Sequence, residues 1–79
     1  MPRGLRNWTY RDVARFLKEN GFRLADQFPG SHEAWLNPQT QAVVEINKHG
    51  HEAFPVRTLE TMIRQSKIDK EIWRKWATS

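Results

Sequence analysis

The chain reads as an α+β domain, a three-stranded antiparallel sheet with two helices on one face in the order α-β-β-β-α, followed by a short C-terminal helix. Three observations predict this. Apolar residues recur at helical spacing around positions 10–17 and again around 59–66. Between these stretches lie three short runs of alternating or β-branched residues, set apart by turn-forming residues. The length of 79 residues allows one domain with a small core, and four Trp and four Phe let a few large side chains fill it.

Residues 1–8 carry Pro2, Gly4, Arg3 and Arg6 without periodicity and read as a loose leader with Trp8 as its candidate anchor. Thr9 followed by Asp12 has the form of an N-cap with an acidic first turn, and Tyr10, Val13, Phe16 and Leu17 fall on one face. The first helix is therefore expected over Thr9 to Glu19. Asn20-Gly21 supplies a left-handed stop, after which Phe22 folds back onto the last turn. The opposite face carries Arg11, Arg15 and Lys18, a charged stripe of the kind that ordinarily faces water.

Residues 22–28 alternate, with Phe22, Leu24 and Phe28 as the expected buried set and Asp26 marking an irregular strand end. Pro29-Gly30 breaks this run. Ala34-Trp35-Leu36 reads as the second strand, residues 37–40 as a tight connection, and Ala42 to Ile46 as a β-branched third strand. Residues 48–51 form a loop by composition. Pro55 opens the second helix, whose buried face is Leu59, Met62, Ile63 and Ser66, with Arg57, Glu60, Arg64 and Gln65 off it. Asp69 caps a short third helix carrying Ile72, Trp73 and Trp76, which packs through its aromatics. The whole of 1–79 is expected to be one domain, with 1–8 a leader and 69–79 a C-terminal extension.

Composition narrows the functional classes. The absence of cysteine excludes a disulfide framework and a thiolate metal site and suits a reducing cytoplasm. No apolar run has the length of a membrane span or signal-peptide core, so a cytoplasmic chain with no membrane partner is expected. A formal charge of +4 and a pI near 10.0 favour a polyanion or an acidic protein as partner.

Gly30-Ser31-His32 is the most informative tripeptide. Histidine is the side chain best able to take and return a proton near neutrality. Glycine before it permits a positive φ or a close ligand approach, and the competing reading is a plain turn with a solvated imidazole. His49-x-His51 lacks a third ligand at convincing spacing, so neither zinc nor any other cofactor is expected. No strand-turn-helix nucleophile elbow surrounds Ser31, which argues against a serine hydrolase. Trp8, Trp35, Trp73 and Trp76 can stack on bases or fill a small core or a partner interface; for Trp73 and Trp76 the core or an interface is expected.

The α-β-β-β-α order is the layout of the double-stranded RNA-binding fold. Beyond layout, the chain resembles the HicA family of bacterial toxin–antitoxin systems, small endoribonucleases that cleave messenger RNA. The resemblance covers roughly Tyr10 to Ile68. It rests on Leu17-Lys18-Glu19-Asn20-Gly21-Phe22, on Gly30-Ser31-His32 followed by Trp35, on Lys48-His49 closing the third strand, and on Thr58-Leu59 with Ile63-Arg64-Gln65. It implies that His32 is the catalytic histidine and Gly30 its supporting glycine, that RNA is the substrate, and that a HicB-like antitoxin is the partner. Ser31, Trp35, Lys48 and His49 are the further candidates for RNA binding or support. Cleavage of this kind uses the RNA 2′-hydroxyl as nucleophile and requires no metal. Glu33 leaves two possibilities open: close to His32 it would favour the imidazolium and repel phosphate, whereas strand alternation would point it away. A non-catalytic RNA-binding module, or a toxin-derived protein-interaction domain, is the alternative to the nuclease.

Overall fold

A computed structural model describes residues 4–28, 30–48 and 51–78. The elements run α1 (Tyr10–Glu19), β1 (Arg23–Gln27), β2 (His32–Leu36), β3 (Val43–Asn47), α2 (Val56–Ser66) and α3 (Lys70–Thr78). The strands form one antiparallel sheet in the order β1-β2-β3. This is the α+β arrangement expected from the residue pattern.

Both ends of α1 are set by local chemistry. Thr9 and Asp12 form a reciprocal capping box, with the Asp12 carboxylate accepting from the Thr9 amide at 2.9 Å. At the other end Gly21 has φ +88°, which lets the Phe22 amide donate to the Leu17 carbonyl at 2.9 Å and the Gly21 amide reach Lys18. Those two bonds make the Schellman stop that Asn20-Gly21-Phe22 announces. α2 buries Leu59, Met62, Ile63 and Ser66 as its spacing requires. The buried Ser66 hydroxyl is satisfied, donating to Ile63 O and accepting from the Ile68 amide. Gln65, from the same helix, accepts the Glu45 amide at 3.0 Å and so occupies a backbone donor of β3.

Trp8 is fully buried, and its indole donates to the Gly4 carbonyl at 2.8 Å. It meets Trp73 at 5.3 Å and Phe16 at 5.9 Å between ring centroids, while Phe16 and Trp73 lie 4.1 Å apart. Trp76 closes this group and donates to Glu19 at 2.8 Å. α1 is thus held between the segment before it and the last helix of the chain. Each fully buried side chain of this size stabilises the fold by roughly 1.5–3 kcal/mol. Ile72, on the same helix, is 47% exposed.

Two strand expectations are corrected. Phe22 is buried, but Leu24 and Phe28 are 40% and 49% exposed. β1 is an edge strand, and its register shifts between Leu24 and Asp26, so alternation cannot present one continuous apolar face. The second strand begins at His32, not at Ala34, because β3 pairs along its full length from His32↔Asn47 to Leu36↔Val43. The Asn37 side chain builds the connection between them by accepting the Gln39 and Thr40 amides.

Candidate active site at the end of the sheet

His32 is the first residue of β2 and is exposed, while Glu33 and Trp35 on the same strand are buried. Successive strand residues point to opposite faces, so the imidazole and the Glu33 carboxylate leave the backbone in opposite directions. Of the two possibilities open for Glu33, this is the second.

Three bonds fix the turn before His32, the first closing it onto β2 and the other two tying it to the end of β3. The Phe28 amide donates to His32 O at 3.0 Å, the Lys48 amide donates to Ser31 O at 2.8 Å, and the Ser31 hydroxyl donates to Asn47 Oδ1 at 2.8 Å. Gly30 has φ +86°, and a β-carbon placed there would meet no heavy atom within 4 Å. Glycine is required at this position for the backbone angle, and the space beside it is open.

Gly30, Ser31, His32 and Lys48 line one recess of about 200 Å³, together with Gln27, Phe28 and Glu33. Four of the six candidate residues are therefore brought together. Trp35 is not among them: it is 2% exposed and offers no open ring face to a base. Its part is internal, since its indole donates to Glu33 at 3.1 Å. His49 lies outside the described residues. His51 lines a neighbouring groove with Lys48, Tyr10 and the basic face of α1.

At the wall of the recess Glu33 collects a set of donors that sequence reading does not assemble. Tyr10 donates to Oε1 at 2.8 Å, and Gln27 reaches Oε2 at 3.4 Å. The Lys48 ammonium lies 4.9 Å from the centre of the Tyr10 ring. Burial by itself pushes the Glu33 carboxyl up, but the hydrogen bonds from Tyr10, Trp35 and Gln27, with the Lys48 charge, outweigh it and hold the group below the usual carboxylate range. Tyr10 moves the other way: burial, then the hydrogen bond to Glu33 and its charge, push the phenol up to about 12. The available clue was a tyrosine on the inward face of α1, whose hydroxyl needs a partner when covered.

The arrangement offers an exposed imidazole, a cation held at the same recess, and a turn whose backbone faces open space. Among the described residues no three His, Asp or Glu gather as metal ligands, and no helix is long and apolar enough to cross a membrane. This is a small α+β domain with an exposed histidine and a basic side chain lining one recess at the end of its sheet. The family model for the HicA toxin of bacterial toxin–antitoxin systems matches residues 10–68. The chain belongs to the HicA toxin family. No curated protein and no solved structure matches it significantly.

Proposed function

We propose that this toxin is an endoribonuclease that cleaves messenger RNA in the cytoplasm and is silenced by a HicB-like antitoxin. The observation that carries the reading is His32, exposed at the head of β2 and lining the same recess as Lys48. RNA brings its own nucleophile. The imidazole removes the 2′-hydroxyl proton, the 2′-oxygen attacks phosphorus, and the 5′-oxygen leaves with a proton returned by histidine or water. Phosphorus chemistry of this type passes through added negative charge, which the Lys48 ammonium offsets together with the amides of Gly30 and Ser31. The route needs no metal ion.

Wild-type chain and His32→Ala, compared on a long single-stranded RNA in excess chelator, test this. The wild type leaves 2′,3′-cyclic or 3′-phosphate ends. His32→Ala loses about 10²–10⁴-fold in rate, the range of one acid–base group, and keeps its melting temperature because the side chain is exposed. Equal cleavage by both proteins removes His32 from the mechanism. Binding without cleavage by the wild type makes the domain a non-catalytic RNA-binding module.

A further inference from the structure

The charged stripe on α1 is not a bland solvated face, because it walls a groove. Arg11, Arg15 and Lys18 line a groove of about 590 Å³ with Tyr10, Lys48 and His51. On the helix these three positions share one side, and successive cations advance by about 6 Å and then about 4.5 Å along the axis. Lys48 lines both this groove and the His32 recess, so the two spaces meet at one side chain. We propose that the groove is the track of the RNA backbone: a single strand runs along the outer face of α1 and delivers its scissile phosphate past Lys48 to His32. The proposal rests on RNA being the substrate and adds where the rest of the strand lies.

Two features favour a polyanion over a protein here. Among the described residues lining the groove none is acidic, so the charge is of one sign along its length. Protein interfaces draw most of their affinity from a few anchors, mostly Trp, Tyr and Arg, packed in desolvated pockets. Here Arg11 and Arg15 stand exposed in no such pocket, and the one aromatic ring, Tyr10, is already overlain by the Lys48 ammonium. Arg15 is engaged with Glu19 at 3.5 Å, but that pair is exposed, with side chains 73% and 51% accessible, and a phosphate can replace the carboxylate.

The test measures binding, not cleavage. In a His32→Ala background, which keeps the RNA intact, Arg11, Arg15 and Lys18 are changed together to Ala. All three are exposed on a helix that alanine favours, and circular dichroism checks that the helix content is retained. Affinity for an unstructured, dye-labelled single-stranded RNA long enough to run the length of α1 is followed against salt. Each lost phosphate contact on a single strand flattens the slope by about 0.7, so the expected change is about 2. A trinucleotide, too short to fill the groove, serves as the second probe and loses less affinity than the long strand. An unchanged slope with the long strand overturns the track. So does a variant that holds RNA as tightly as its parent but no longer binds a co-expressed antitoxin, which makes the groove a protein face. Absence of cleavage by the wild type, with the slope still flattened, removes the nuclease reading and leaves the track standing.

Discussion

The phenol of Tyr10, in the first turn of α1, donates to the Glu33 carboxylate of β2 at 2.8 Å across 23 positions of sequence. That bond joins the helix that carries the basic groove to the strand that begins at His32. It therefore bridges the elements behind the two surfaces proposed for RNA, and it can be followed directly.

Tyr10 is the only tyrosine in the chain, so phenolate absorbance reports it without interference from another phenol. The expected midpoint lies near about 12, set first by burial and then by Glu33. Because the folded value is raised, the bond contributes its stability below the ordinary tyrosine value of 10.0 and loses it as pH rises through the folded value. Glu33→Gln removes the charge but not the burial, and lowers the midpoint. A wild-type midpoint at the ordinary value would show the phenol open to water.

The acid limb has the opposite sign. Glu33 titrates below its ordinary value, so the stability its ionised form contributes is complete above the usual carboxylate range and is lost as pH falls through the folded value. Melting temperature from neutral to acid pH should fall more steeply for the wild type than for Glu33→Gln. Parallel curves would mean that the fold does not prefer the carboxylate.

Lys48→Gln separates charge from packing. Loss of a phosphate contact flattens the salt dependence of single-stranded RNA binding by about 0.7 and weakens binding to RNA of any sequence. The same change deprives Glu33 of a neighbouring cation, so its titration moves upward. The exposed side chain leaves the melting temperature nearly unchanged. RNA affinity and salt slope equal to wild type would remove Lys48 from the interface.

Trp73→Ala should cost about 3–5 kcal/mol, as truncating a buried tryptophan generally does. A small domain has only about 5–15 kcal/mol in all, so the variant is expected to be largely unfolded at elevated temperature. Chemical denaturation checks this. The same reasoning predicts that a fragment trimmed to the family-matched residues 10–68 folds poorly, since it lacks Trp8, Trp73 and Trp76 from around Phe16. A cooperative melt of that fragment at the wild-type temperature would contradict it.

Local chemistry made the helices legible. The Thr9–Asp12 cap, the Asn20-Gly21-Phe22 stop and the four-residue face of α2 each depend on residues within one or two turns, and each stands where the pattern put it. The edge strand was less legible because a register shift destroys the alternation that would have identified its inward side. Gly30-Ser31-His32 stood out by residue type, Lys48 came only with the family resemblance, and one recess brings the four together. The Glu33 cluster was out of reach for a different reason. Its donors come from α1, β1 and β2, and only tertiary packing decides that a carboxylate is worth burying among them.

His32 and Glu33 differ by one step along β2, and in a strand one step is the difference between the two sides of the sheet. The site thus depends on whether residues are counted as odd or even. Slipping β2 by a single residue against β3 would turn the carboxylate to the side that now carries the imidazole, and the imidazole toward Tyr10, with the composition intact. The unbroken ladder from His32↔Asn47 to Leu36↔Val43 guards that parity. The irregularity between Leu24 and Asp26 sits on the outer strand, where an added or deleted residue can be absorbed without reaching the strand that carries the histidine.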